Sequence, residues 1–138
     1  MGVTLNPYLS FKDNARQAME FYQSVFGGEL TVSTFADLGA PVEGEEKDLV
    51  MHSQLSADTL VLMGADTPSH MEFSEGRNGS ISLSGDDEAT LRRYWDGLSA
   101  GGGISVPLEK APWGDTFGMC TDRFGVSWMV NIAGEGAA

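Results

Sequence analysis

The alternation of apolar and polar positions divides the chain into two stretches with the same order of elements. In the first stretch, period-two alternation over residues 5–11 predicts a strand. An apolar stripe at helical spacing then predicts a helix that begins at Asp13 or Asn14 and ends at Gly27-Gly28. Gln17, three positions after Asn14, predicts a capping box at its start. Three further strands are predicted, at 29–35, 49–55 and 59–63.

The second stretch repeats this order after a polar connection. Ile81 and Leu83 alternate with serines and predict a strand over 80–84. Asp86, Asp87 and Glu88 place negative charge at the favourable start of a second helix, which the glycines at 101–103 end. Strands are again predicted behind it, at 104–108, 115–121 and 127–132.

This repeated order predicts an α+β fold built from two βαβββ modules within one domain, 1–138. The modules are expected at 1–66 and 78–133, with one helix behind each. The faces that the helices leave uncovered are expected to meet around a cleft inside a curved mixed sheet. Because side chains alternate along a strand, Leu9 and Phe11 are predicted to face the first helix and Tyr8 the cleft.

Composition and charge narrow the classes of function. The formal net charge of −12 over 138 residues repels phosphate backbones and anionic membranes, so neither nucleic acid nor membrane is expected as a partner. No stretch approaches the ~20 apolar residues of a membrane span, and the first ten residues lack the features of a signal peptide, so a cytoplasmic location is expected. The single Cys120 excludes an intramolecular disulfide and multi-cysteine zinc sites.

Several local runs resemble the vicinal oxygen chelate superfamily, and within it the PhnB-like branch. The superfamily includes glyoxalase I, extradiol dioxygenases, and fosfomycin and bleomycin resistance proteins. The resemblance implies the paired-module fold and a homodimer. The runs that carry it are Asn6-Pro7-Tyr8-Leu9-Ser10-Phe11, Glu20 to Gly28, Trp113-Gly114-Asp115 with Phe117-Gly118-Met119, and Thr121 to Asn131.

The same resemblance implies where a divalent metal would be bound in the superfamily's enzymes. The first-strand ligand position falls on Asn6 or Pro7, the histidine position of the second half on Ser80, and the late glutamate position on Met129. These residues do not supply the converging oxygen and imidazole ligands that such a cation needs, so no metal and no cofactor is expected. The branch has also been described as ubiquinone methyltransferases. A loop that cradles S-adenosylmethionine should follow a strand, whereas the glycines at 101–103 end a helix.

Candidate ligand-binding residues lie on predicted cleft faces. His52 shares a strand face with Gln54, and it is either a cleft residue or a strand histidine satisfied by a carbonyl. Trp113 is either a flat lid over a ligand or an edge anchor of the core. Lys110 with Asp115 is a weak acid–base candidate, and Cys120 is expected to be a buried, inert thiol. The full predicted set is Tyr8, His52, Gln54, Trp113, Asp115, Phe117, Met119 and Met129.

Two classes of function are compatible with these residues. The first is a metal-free small-molecule-binding protein of the glyoxalase and bleomycin-resistance type, whose acidic field favours a cationic ligand. The alternative is a metal-dependent lyase, isomerase or dioxygenase with a relocated site around His52, in which the metal acts as a Lewis acid. The residues alone do not decide whether a reaction is catalysed.

Overall fold

Two four-stranded sheets, each with one helix on one face, make up the part of the chain that the computed structural model describes, residues 5–39, 44–57, 60–68 and 79–134. They belong to two compact units, 1–75 and 76–138. The predicted α+β fold with two modules is confirmed. Each of the two α-helices has 12 residues, and no helix among the described residues is long and apolar enough to cross a membrane.

The elements follow the predicted order. The first unit contains β1 (Tyr8–Phe11), α1 (Ala15–Phe26), β2 (Glu29–Thr34), a short 3₁₀ helix (Gly44–Asp48), β3 (Val50–Ala57) and β4 (Leu60–Asp66). The second unit contains β5 (Ile81–Gly85), α2 (Glu88–Ser99), β6 (Gly103–Lys110), β7 (Thr116–Thr121) and β8 (Ser127–Ile132).

The first sheet has the strand order β1-β4-β3-β2, with β1 parallel to β4 and the other pairs antiparallel. The face towards α1 carries Phe11 and Leu55, which are buried. Gly64 lies on the same face, where an added Cβ would be 3.0 Å from the Met19 sulfur and 3.1 Å from the Phe11 ring. Glycine at this position therefore lets the helix approach the sheet closely.

The start of α1 differs from the prediction, and the expected capping box is wrong. Asn14 occupies the N-cap position, but its side chain makes no capping hydrogen bond. Instead, the Ala15 backbone N–H donates to Oδ1 of Asp66 at 2.9 Å, and the Val50 N–H donates to Oδ2 at 2.9 Å. A carboxylate from the end of β4 thus binds a free N–H of the helix and favours its positive end. The end at Gly27 is confirmed, with a φ of 77°.

The second sheet repeats the topology with the order β5-β8-β7-β6, and β5 is parallel to β8. The predicted acidic start of α2 is confirmed, because the Asp87 carboxylate accepts from the Thr90 N–H at 3.1 Å and from its hydroxyl at 2.8 Å. Trp95 and Leu98 of α2 are buried. At Gly118 of β7, an added Cβ would be 2.8 Å from the Trp95 ring, which identifies the face of β7 that packs on α2.

Every described strand except β8 has bounds that differ from the prediction by one to three residues, and β1, β4 and β6 are examples. β1 begins at Tyr8 and not at residue 5, since Pro7 has no N–H to donate, although its carbonyl accepts from the Met63 N–H at 3.0 Å. β4 continues to Asp66, while Thr59 lies outside the described residues. β6 continues to Lys110 and contains two irregularities in its register with β7.

Candidate functional site

The face of the first sheet that α1 does not cover is called here the helix-free face of the first unit. The strand register places four of its residues in one row across the sheet, because each is the partner of the next: Thr31, Gln54, Met63 and Tyr8. His52 lies one row away on the same face, opposite Ser33. Tyr8, His52 and Gln54 therefore share the face opposite α1, as the alternation of side chains along a strand predicts.

Tyr8 and His52 approach each other over this face. Their ring centroids are 6.1 Å apart with a tilt of 37°, although β4 separates their strands in the sheet. Tyr8 is 52% exposed, whereas His52 is half-buried. Gln54 donates its amide N–H to the Ser56 hydroxyl at 3.2 Å. The face therefore carries two rings and an amide, with the apolar Met63 between Tyr8 and Gln54 in their row.

His52 has no metal-ligand set around it in the described residues. No group of three or more His, Cys, Asp or Glu side chains in the described ranges is arranged to hold a metal ion. In the strand register its neighbour is Ser33, and its ring neighbour is Tyr8. These are weak partners for the divalent cations that superfamily enzymes use.

The helix-free face of the second unit contains two rows that cross β5, β8, β7 and β6. In the first row, two methionines lie between a serine and a valine. In the second row, a phenylalanine has polar residues on its neighbouring strands. The first row is Ser82, Met129, Met119 and Val106, and the second is Ser84, Asn131, Phe117 and Glu109. None of these eight residues is Lys or Arg, so the polar groups of this face are hydroxyls, an amide and a carboxylate.

Asp115 directly precedes β7 and is held by two hydrogen bonds. Its Oδ2 accepts from Nδ2 of Asn131 at 3.0 Å, and its Oδ1 accepts from the Gly134 N–H at 2.8 Å. The hydrogen bond from Asn131, followed by that from Gly134, lowers the pKa of the Asp115 carboxyl below its ordinary value of 3.8. Since the amide N–H₂ of Asn131 is directed at Asp115, its amide oxygen keeps its capacity to accept hydrogen bonds.

Trp113 lies at the tip of a closed turn. The Ala111 N–H donates to the Asp115 carbonyl at 2.6 Å, and the Gly114 N–H donates to the Ala111 carbonyl at 3.0 Å. A Cβ on Gly134 would collide with the Gly114 carbonyl, so Gly134 fits directly beneath the turn. Trp113 is 64% exposed, and its ring lies 5.8 Å from that of Phe117 at 60°. Trp113 therefore forms an aromatic wall beside Phe117, and the hydrogen bonds that close its turn favour this role over that of a hinged lid.

The run from Thr121 to Asn131 has a structural explanation. The Asp122 side chain is 3% exposed, and its Oδ1 accepts from the Phe124 N–H at 2.8 Å and the Val126 N–H at 3.1 Å. Its Oδ2 accepts from the indole N–H of Trp128 at 2.8 Å. One carboxylate therefore organises the whole turn between β7 and β8, including the anchor Trp128.

The weaker chemical candidates do not form a reactive group. Lys110 pairs with Thr116 and so lies on the opposite face from Phe117, which separates it from Asp115. Cys120 is buried, as predicted. Burial, followed by the charge of Asp122, raises the pKa of its thiol to about 11, which disfavours the nucleophilic thiolate.

Sequence reasoning missed some residues that share these faces with the predicted set. The missed residues needed strand pairing as well as alternation, because each lies opposite a predicted residue on a neighbouring strand. The register, once known, identifies all three: Thr31, Met63 and Glu109.

Comparison with known proteins identifies relatives over nearly the whole chain. A solved structure of protein PA1353 from Pseudomonas aeruginosa is 36% identical, with a TM-score of 0.86, and the match covers 97% of this chain and all of that one. Protein YjdN of Escherichia coli is 27% identical over 93% of this chain and 94% of its own.

A more distant structure shows the fold alone. The glyoxylase/bleomycin resistance protein/dioxygenase domain from Frankia sp. EAN1pec has a TM-score of 0.62 at 18% identity, over 99% of this chain and 94% of that domain. The family described as 3-demethylubiquinone-9 3-methyltransferase matches residues 4–131. The chain therefore belongs to that family, the PhnB-like branch of the vicinal oxygen chelate superfamily.

Proposed function

We propose that this protein binds a small cationic molecule on its helix-free faces, without the metal that enzymes of the superfamily use. One observation carries the proposal: on the second unit, the two rows combine an apolar floor of Phe117, Met119 and Met129 with acceptor groups, and none of their eight residues is Lys or Arg. Aromatic and methionine side chains provide adaptable apolar contact. The carboxylate of Glu109 and the amide oxygen of Asn131 favour a ligand that is positively charged or donates hydrogen bonds.

The chemistry of the donor positions supports a metal-free site. Met129, which stands where the superfamily's late glutamate is expected, lies opposite Met119, so thioethers occupy a place where a hard cation needs oxygens. Ser80 is exposed and His52 has a serine and a tyrosine as neighbours. These donors do not fit a divalent Lewis-acid centre, and we derive no step through one.

Methyl transfer, which the family description names, receives no support from the glycines at 101–103. They follow the end of α2 and lead into β6, whereas a loop that binds a nucleotide-like cofactor leads from a strand into a helix. We expect no binding of S-adenosylmethionine in calorimetric titration. Saturable binding of that cofactor would instead make a methyltransferase the working hypothesis.

A thermal-shift screen tests the binding function. The compounds are amines, cationic glycopeptides and aromatic metabolites, each compared with an uncharged analogue of similar size. We expect stabilisation by a subset of cations, at concentrations above their dissociation constants, because a ligand that binds only the folded state raises the melting temperature. A screen in which no cation stabilises the protein more than its uncharged analogue contradicts the proposal.

A metal-content measurement tests the enzyme alternative at His52. Untagged protein is equilibrated with nickel, zinc, manganese and iron(II), desalted, and assayed by plasma mass spectrometry. We expect far less than one metal per chain, both in the wild type and in His52→Ala. Near-stoichiometric metal that the His52→Ala substitution removes would overturn the metal-free proposal.

The proposal includes a homodimer, which the superfamily resemblance implies, and the cytoplasmic location expected from the sequence. Light scattering coupled to gel filtration is expected to give twice the chain mass of 14.7 kDa. A measured mass equal to that of one chain would contradict the homodimer. The binding function would then still be judged by the thermal-shift screen and the metal-content measurement.

A further inference from the structure

Trp113, Phe117 and Glu109 form a corner on the helix-free face of the second unit, called here the aromatic–acid corner. The two rings meet at 60° with centroids 5.8 Å apart. Glu109 is the direct cross-strand partner of Phe117, so its carboxylate starts beside the phenyl ring on the same face. This corner combines two π surfaces set at an angle with one negative charge.

The corner is rigid on the side of Trp113. The turn that carries Trp113 is closed by the hydrogen bonds from Ala111 and Gly114, and Asp115 ties it to Gly134. Trp113 is nevertheless 64% exposed. Because the backbone beneath Trp113 is held by these hydrogen bonds, the exposed indole can cover an apolar group with little further loss of backbone freedom.

The nearby carboxylate of Asp115 adds to the negative charge around the corner, but hydrogen bonds within the unit fix its position. Both its oxygens accept hydrogen bonds within the unit, from Asn131 and Gly134. A bare metal ion needs several oxygen ligands, and a primary ammonium needs acceptors for three N–H groups. The two rings and the Glu109 carboxylate, with the charge of Asp115 nearby, suit a cation that has an apolar surface and no N–H groups.

We propose that the aromatic–acid corner binds the quaternary ammonium group of a small molecule. The inference rests on the proposed binding function and names the chemical class of its ligand. The methyl groups pack on the Trp113 and Phe117 rings, whose π faces attract the cation, and Glu109 neutralises its charge. None of the eight residues on the two rows of this face is Lys or Arg, so none of them repels such a cation.

The test compares choline with 3,3-dimethyl-1-butanol, the uncharged molecule in which carbon replaces the nitrogen. Binding is followed by the indole N–H signal of Trp113 in two-dimensional nuclear magnetic resonance, which is distinct because Trp95 and Trp128 are buried. We expect saturable shifts with choline and about tenfold weaker binding of the alcohol. Equal binding of the two molecules, or no binding of choline, overturns the proposal.

Variants separate the contribution of each group. Glu109→Gln keeps the shape and removes the charge, and we expect choline affinity to fall about fivefold. Asp96→Asn removes one charge from an exposed position on α2 and is the matched control, with affinity unchanged. Trp113→Leu is expected to abolish binding, monitored by the methyl signals of Met119. Equal affinities of Glu109→Gln and Asp96→Asn overturn the role of the corner.

The screen described above distinguishes a failure of this inference from a failure of the binding function. A cationic ligand that stabilises the protein and shifts the Met119 and Met129 methyl signals, but leaves Trp113 unchanged, overturns the corner and keeps the binding function. If neither the screened cations nor choline binds, both proposals are overturned.

Discussion

At the scale of single residues, carboxylates carry much of the local order. Asp66 joins the start of α1 to the start of β3, and Asp122 organises the turn that leads into β8. Both side chains are buried, and each accepts more than one hydrogen bond from N–H groups of the chain. Buried N–H groups that lose their acceptor are costly, so these two positions are sensitive to substitution.

Asp66→Ala is expected to lower the free energy of unfolding by ~2–4 kcal/mol, because the N–H groups of Ala15 and Val50 lose their acceptor. Asp66→Asn, which keeps one acceptor oxygen, is expected to have an intermediate effect. Urea denaturation measures both. The control is Asp96→Ala at an exposed position, expected to change stability by less than about 0.5 kcal/mol. A loss in Asp66→Ala no greater than in the control would contradict the role given to Asp66.

The hydrogen bonds to Asp115 make a pH-dependent contribution to stability. Its pKa in the folded protein is below the ordinary value of 3.8, so the contribution is present above that value and is lost as the pH falls through the lower folded pKa. In a nuclear magnetic resonance titration, we expect the chemical shift of the Asp115 carboxyl carbon to change with a midpoint below pH 3.8. The Asn131→Ala substitution is expected to raise that midpoint, because the Asn131 hydrogen bond is the largest cause of the lowered pKa.

Asp87 is the internal control for this titration. Its pKa is also lowered, by the side-chain and backbone hydrogen bonds from Thr90, and it lies on α2 away from the Asn131 contact. Its midpoint is expected to stay constant in Asn131→Ala. An unchanged Asp115 midpoint, or an equal movement of both midpoints, would show that Asn131 does not set the Asp115 pKa.

At the scale of elements, each helix approaches its sheet at a strand position that has no side chain. Gly64 lies beneath α1 and Gly118 beneath α2, and at both positions an added Cβ meets a helix side chain at 3.0 Å or less. The opposite face of each sheet is thereby available for aromatic, methionine and polar side chains. Because side chains alternate along a strand, one face of each sheet can pack closely on a helix while the other face carries polar and aromatic side chains.

Gly118→Ala is expected to destabilise the second unit by roughly 1–3 kcal/mol. The new methyl group would be 2.8 Å from the Trp95 ring and 2.9 Å from the Leu108 Cα, so backbone as well as side chain must move. Gly103→Ala, with no atom within 4 Å of the added carbon, is the control and should be nearly neutral. Thermal unfolding compares the two, and equal melting temperatures would contradict the packing described.

At the scale of the whole molecule, the net charge of −12 acts on stability as well as on ligand choice. Like charges on a folded chain repel one another, and salt screens this repulsion. The same negative field attracts cations towards both units, and the Coulombic part of that attraction weakens as ionic strength rises. Stability and cation affinity should therefore respond to salt in opposite directions.

We expect the melting temperature at pH 7 to rise by about 3–5 °C, corresponding to ~1 kcal/mol, when sodium chloride is raised from low to physiological concentration. Near the isoelectric point of about 4.3 the same addition should have little effect, since the net charge is close to zero. A melting temperature that falls with salt at pH 7 would contradict the importance of self-repulsion.

The sequence by itself determined the order of the elements and the faces of the strands. Hydrophobic periodicity is a local property, so it predicted α1 and α2 and the orientation of Tyr8, Gln54 and Phe117 without knowledge of strand neighbours. Glycine at the end of α1 and acid at the start of α2 are equally local signals, and both were confirmed.

Only the tertiary structure decided which residues meet across strands. Asp66 caps a helix that begins 51 residues earlier, and Glu109 reaches Phe117 only through the pairing of β6 with β7. The capping box was wrong because a distant carboxylate replaced the local side chain that the pattern offered. Periodicity describes each strand separately, whereas a binding face is a product of register between strands, which long-range packing sets.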